Sequence, residues 1–126
     1  MRTILVVDDH IPTLHTLFLI LEAHDFNVLS ASDAREAQNA FSVCEVDMVI
    51  LDHGLPGISG ADLAAQFKAT KDVLIIMLSG NPELPGRPES VDLLLAKPIS
   101  VPQLLVEIDG LFSSGGKPNN SRHRAN

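Results

Sequence analysis

The sequence contains no tryptophan, no tyrosine and only one cysteine, and bases are scarce. Cys44 on its own cannot build an intramolecular disulfide framework, which suits a reducing compartment. No stretch of 18 apolar residues occurs, and the opening MRTILVVDDH turns acidic before the core of a signal peptide could be completed. Neither a membrane span nor a secretory leader is expected, and the cytoplasm is the default location. Acids number 16 against 9 bases, and three of those bases, Lys117, Arg122 and Arg124, fall in the acid-free stretch 113–126. Residues 1–112 therefore set all 16 acids against 6 bases, a charge of −10, which argues against a nucleic-acid surface on the folded part.

What is present is ordinary globular material. The 126 residues, 45% hydrophobic and 20% charged, suffice for one domain with a real core and fall short of two. Thr3–Val7 is a short β-branched run stopped abruptly by Asp8 and Asp9, the pattern of a strand buried on both faces. Similar runs cover residues 46–51 before Asp52, 73–78 before Ser79 and 91–96 before Lys97, and Asn27–Ala31 is a weaker candidate. Helical spacing lies between them. Ile11, Leu14, Leu17, Phe18 and Leu21 form one stripe behind Pro12, which is harmless in a first turn, and Ala37, Ala40 and Phe41 form another. Ser59 with Asp62 opens a third helix burying Leu63, Ala64 and Phe67; Ser100 with Gln103 opens the last, burying Leu104, Leu105, Ile108, Leu111 and Phe112.

Strands alternating with helices predict a doubly wound parallel α/β sheet with right-handed crossovers and helices on both faces. One crossover breaks the pattern. Residues 81–90, NPELPGRPES, place Pro82, Pro85 and Pro88 where a fourth helix belongs, and each interior proline costs on the order of 3 kcal/mol, so a loop or one short turn is expected. The domain should span 1–112, followed by a disordered tail over 113–126, where no apolar residue precedes Ala125.

In such a sheet, polar residues at the carboxyl ends of the strands converge on one crevice. Asp8, Asp9, Asp52, Ser79 and Lys97 all leave strands there. Three clustered carboxylates repel one another unless they are protonated or share a cation. Magnesium fits an all-oxygen site that keeps several waters, with Asp9 and Asp52 the expected direct ligands. A carboxylate can also attack phosphorus, with a metal and Lys97 offsetting charge on the transferring oxygens and Ser79 donating to one of them. His10 and His53 flank these acids and read as polar rim residues, since a transition-metal site would gather two or three histidines. Gly54, Gly57 and Gly60 are spaced GxxGxxG, not as a nucleotide-binding loop.

The acidic pair Asp8-Asp9, the Asp52 of VILDHGLPGISG, Ser79 after VLIIML and the Lys97-Pro98 dipeptide stand in order at the spacing of successive βα units. In this the chain resembles the receiver domains of two-component response regulators over residues 2–112. The resemblance implies a flavodoxin-like (βα)5 fold of strand order 2-1-3-4-5, here with its fourth helix short or missing. It implies Asp52 as phosphoacceptor, charged by a sensor histidine kinase or a phosphotransfer protein. Asp8, Asp9, Asp52 and the carbonyl of Gly54 would hold Mg2+, Lys97 would pair with the phosphoryl group, and Ser79 would be the switch hydroxyl, with Gly80 leaving its approach open. It further implies a cis Lys97-Pro98 bond, plausible for an X–Pro trans preference of only about 0.5–1 kcal/mol. Such a protein signals by protein–protein contact to a downstream target the sequence does not name. It contacts neither nucleic acid nor membrane directly, leaves homodimerisation open, and is no enzyme beyond the phosphorylation and dephosphorylation of its own Asp52.

Two features depart from the family pattern. Leu94 stands where an aromatic switch residue is usual, and the Pro-rich crossover replaces a helix of the usual output face. The expected readout therefore shifts to residues 81–90 or to the first helix. The departures also motivate an alternative, a receiver-like module acting as a phosphorylation-independent interaction surface. A phosphohydrolase would want a second acid two residues past the nucleophile, where this chain has Gly54.

Overall fold

The computed structural model describes residues 1–80 and 86–114. Five strands, β1 (Thr3–Val7), β2 (Asn27–Ala31), β3 (Met48–Asp52), β4 (Leu74–Ser79) and β5 (Leu93–Ala96), form one parallel sheet in the order β2-β1-β3-β4-β5. Four helices are present among the described residues: α1 (Ile11–Ala23), α2 (Ala34–Val43), α3 (Gly60–Thr70) and α4 (Val101–Ser113). The doubly wound architecture and its strand order are those expected. From residue 86 to β5 there is only a turn at residues 89 and 90, and no helix. Of the loop expected over 81–90, residues 81–85 lie outside the described residues, as does the tail expected over 113–126 from residue 115 on, while Ser113 ends α4 and Ser114 caps it, so the ordered part runs past 112.

Alternating side chains of the central strands feed two separate cores, which is why these runs are apolar without interruption. Leu5, Val7, Val49, Leu51, Ile75 and Met77 face α2 and α3, meeting Phe41, Leu63 and Phe67. Ile4, Val6, Met48, Ile50, Ile76 and Leu78 face α1 and α4, meeting Leu17, Leu21, Leu104 and Ile108. Phe41 and Phe67 stack with centroids 4.3 Å apart, joining α2 to α3. The caps follow the sequence signals: Ser59 accepts from the Asp62 amide at 3.1 Å and Ser100 from the Gln103 amide at 3.3 Å. Asp33 caps α2 through the Glu36 amide, while Glu36 reaches back to the Ser32 amide, a reciprocal box.

Three expectations need correction. Ile11 is 58% exposed and not part of the α1 stripe, which is Leu14, Leu17 and Leu21 with Phe18 partly buried. The run at 46–51 becomes a strand only from Met48, and the run at 91–96 only from Leu93. In both, an aspartate at the entry turns its carboxylate onto a neighbouring strand's amide: Asp47 Oδ2 accepts from Thr3 N at 2.8 Å, and Asp92 Oδ2 from Ile75 N at 2.9 Å. The side chain thus fills a position that the backbone ladder leaves open.

Candidate functional site

β1, β3, β4 and β5 each hand their site residues to the same rim, and backbone bonds continue past strand ends there. The Asp8 amide donates to Ala31 O at 3.1 Å, the His53 amide to Leu78 O at 2.9 Å, and the Lys97 amide to Ser79 O at 2.9 Å. Asp8 and Asp52 are buried, Asp9 is exposed, and Ser79 is buried at the tip of β4. Carboxylate oxygens of Asp8, Asp9 and Asp52 all lie within 4.8 Å of one another. Lys97 Nζ donates to Asp52 Oδ1 at 2.6 Å and stands 3.9 Å from Asp8 Oδ2. The Lys97-Pro98 bond is cis.

Asp8 shows what such crowding does. One oxygen, Oδ1, accepts the His10 amide at 2.8 Å, while Oδ2 is buried with no hydrogen-bond donor. Burial pushes its carboxyl above the ordinary value of 3.8, the His10 amide and Lys97 pull it down, and the charges of Asp52 and Asp9 push it further up. A buried carboxylate oxygen lacking a donor, beside two further acids, is a set of hard oxygen ligands suited to a divalent cation such as magnesium.

The rest of the motif sets the loop after β3. Gly57 has φ +82°, a conformation that side chains rarely adopt, so the turn there requires glycine. The Gly60 amide donates to His53 O at 3.0 Å, bringing the start of α3 against the backbone beside Asp52. Gly54 lies two residues past Asp52, and both it and Gly80 have open space where a Cβ would be. Asn81 lies outside the described residues. His10 Nδ1 pairs with Thr13 Oγ1 at 2.7 Å, and among the described residues neither His10 nor His53 joins the acid cluster. Leu94 is half-buried against the α2–α3 core.

Beside Lys97 a groove of about 360 Å3 opens between α1 and the start of α4, lined by Thr16, Leu17, Ile20, Pro98 and Val101. Two features went unnoticed in the sequence. Gly60 looked like one of three loosely spaced glycines, although its close approach is specific. Asp92 was absorbed into an apolar run, where a lone acid among five apolar neighbours was the available signal.

The description "response regulator receiver domain" matches residues 4–109 of this chain. The chain is similar to the aerobic respiration control protein ArcA of Escherichia coli K12, 30% identical over 114 residues, covering 87% of this chain and 48% of ArcA. It thus spans about half the length of the curated relatives it matches. Among solved structures it resembles a response regulator receiver domain from Clostridium thermocellum, with TM-score 0.82, 27% identity and coverage of 90% of this chain and 96% of that one. It also resembles the response regulator TrrA of Thermotoga maritima, a complex with Mg(2+)-BeF, with TM-score 0.79, 29% identity and coverage of 88% and 99%.

Proposed function

Because the chain belongs to the response regulator receiver domain family, we propose that its Asp52 accepts a phosphoryl group from a phosphohistidine donor and that the phosphorylated domain signals by contact with another protein. The observation that carries this reading is the 2.6 Å pair of Lys97 with Asp52, set among the carboxylates of Asp8 and Asp9. Asp8, Asp9, Asp52 and the carbonyl of Gly54 are the residues that would hold Mg2+. When bound, the ion offsets negative charge on the phosphoryl oxygens and on the acids around them.

The chain's own residues do the rest. A carboxylate oxygen of Asp52 attacks phosphorus, the P–O bond forms as the P–N bond to the donor imidazole breaks, and the imidazole leaves with that electron pair. Lys97 passes from the Asp52 carboxylate to a phosphoryl oxygen, keeping the number of opposed charges constant. Ser79, one residue from the open space at Gly80, donates to another phosphoryl oxygen. Gly54 stands where a phosphohydrolase would carry a second acid, so the aspartyl phosphate is an acylphosphate that persists until water attacks it, and the domain is a phosphoacceptor without a separate substrate turnover. The groove beside Lys97 is where the donor protein would lie, since the donor imidazole must come within bonding reach of Asp52. A donor charged from ATP works in the cytoplasm, which is where this reading places the chain.

An intact acid triad with its lysine argues against a module that has discarded the chemistry. The test is incubation of wild type and Asp52→Asn with acetyl phosphate and magnesium, followed by intact-mass measurement. One phosphate adduct on wild type alone supports the proposal; no adduct on wild type, or an adduct on both, overturns it.

A further inference from the structure

We propose that Asp92 is a positioning residue that pins β5 from its far end and thereby sets Lys97 for phosphoryl capture. The inference rests on the reading of Asp52 as phosphoacceptor and Lys97 as its cation.

β5 has little else to hold it. It is four residues long, lies at the edge of the sheet beside β4 alone, and its leucines are only half-buried, whereas β1, β3 and β4 are buried throughout. No helix precedes it in residues 86–92, so its α3-side face, which carries Leu94, lacks a helix from that stretch to cover it. Edge strands with one neighbour are the least constrained in register.

Asp92 supplies the missing constraint with one side chain. Its amide donates to Ile75 O at 2.9 Å, and its Oδ2 accepts both Ile75 N at 2.9 Å and Lys68 Nζ at 2.7 Å. The Asp92 side chain is fully buried and that of Lys68 is 17% exposed. A carboxylate therefore stands in the β4–β5 ladder as a backbone acceptor would, and a lysine from α3 neutralises it. Hydrogen bonds to ionised groups are about twice as strong as neutral ones. Three elements, α3, β4 and β5, meet on this one oxygen.

At the opposite end of the same strand, the Lys97 amide donates to Ser79 O and its ammonium to Asp52. The register from Ile76↔Leu93 to Ser79↔Ala96 is thus fastened at both ends. Loss of the Asp92 carboxylate leaves the entry of the short strand held by its backbone bonds alone, and a displacement of β5 there is passed along the strand to Lys97 at its far end. The magnesium ligands sit at the ends of β1 and β3, so a displaced β5 leaves them in place and at most withdraws the ammonium of Lys97 from Asp52 and Asp8. Asp92 should therefore govern phosphoryl binding without weakening cation binding, a separation that general destabilisation does not produce.

The test compares wild type, Asp92→Ala and the conservative Asp92→Asn, whose amide oxygen can still accept the Ile75 amide. Amide hydrogen exchange at residues 93–97 reads the strand, calorimetry reads Mg2+ affinity, and fluorine NMR reads beryllofluoride binding at saturating Mg2+. In Asp92→Ala, exchange at 93–97 speeds up, Mg2+ affinity does not fall, and beryllofluoride affinity falls by about tenfold or more; Asp92→Asn recovers most of the loss. Wild-type protection at residues 95 and 97 in Asp92→Ala overturns the proposal, as does an equal fall in Mg2+ and beryllofluoride affinity. Should Asp92→Ala fail to fold, Lys68→Gln, which removes the neutralising charge, is read by the same three measurements against the same outcomes. A wild-type protein that takes up no beryllofluoride counts against the phosphoacceptor reading, and the exchange comparison still decides whether Asp92 pins the strand.

Discussion

No methyl group fits on Gly60: a Cβ there would lie 2.8 Å from the carbonyl oxygen of Asp52 and 3.1 Å from that of His53. Both obstacles are backbone atoms of the strand end that presents the proposed nucleophile, so relief must come from moving that strand end or the start of α3. Gly60→Ala should cost about 1–3 kcal/mol through overpacking. The gain in helix propensity, at most about 1 kcal/mol, does not offset it. Urea unfolding should show a lower midpoint, and labelling by acetyl phosphate should slow because Asp52 is displaced.

Lys97→Ala removes the cation that touches Asp52. Loss of one donor aimed at a transferring oxyanion typically costs about a hundredfold or more in rate, and acetyl phosphate labelling followed by mass measurement should show a fall of that order. Mg2+ affinity should hold or rise, because the acid cluster loses a competing positive charge; calorimetry checks it.

Stability should depend on pH through Asp8. Its folded-state carboxyl titrates above 3.8 because burial disfavours its charged form, reinforced by Asp52 and Asp9 against the opposing His10 amide and Lys97. Between the unfolded and folded values the folded chain holds the proton more tightly than the unfolded chain does. This group's contribution therefore falls as pH rises through that window, and the deficit persists at neutral pH. Asp8→Asn, which keeps an oxygen for the His10 amide, should make the metal-free protein more resistant to urea at neutral pH. That advantage should shrink as the pH is lowered toward 3.8.

Magnesium should reverse the ranking of those two proteins. A ligand at a hundred times its Kd stabilises the state it binds by about 2.7 kcal/mol, and wild type should gain on that scale. Asp8→Asn should gain much less, having lost the oxygen that has no donor. Thermal unfolding with and without Mg2+ measures both.

The groove beside Lys97 should separate donors by size. Ile20→Glu places a charge on its apolar wall. Labelling by acetyl phosphate should be unchanged. Transfer from any phosphohistidine protein that labels the wild type should drop by about tenfold, equivalent to 1.4 kcal/mol of lost binding.

Much of this was readable in the chain because the fold is dictated by simple alternation. Uninterrupted apolar runs ending in Asp8 and Ser79 can be satisfied by strands buried on both faces, and the carboxyl ends of parallel strands share one side. Other features required three dimensions. The uncharged run from Ile11 to Leu21 offers more apolar residues than a helix can bury, so nothing local marks Ile11, like Leu19, as facing water. Asp92 follows Val91 and precedes three leucines, and its role appears only once Ile75 and Lys68 arrive from other elements. Gly60 is distinguished by a collision with β3 that no spacing rule encodes.

The amide hydrogen bonds that run past the ends of β1, β3 and β5, to Ala31, Leu78 and Ser79, hem the acidic rim in two pieces, β1 to β2 on one side and β3 and β5 to β4 on the other. Its acids are brought together during folding, so the mutual repulsion around Asp8 is a strain the sheet already carries before any ion or phosphate arrives.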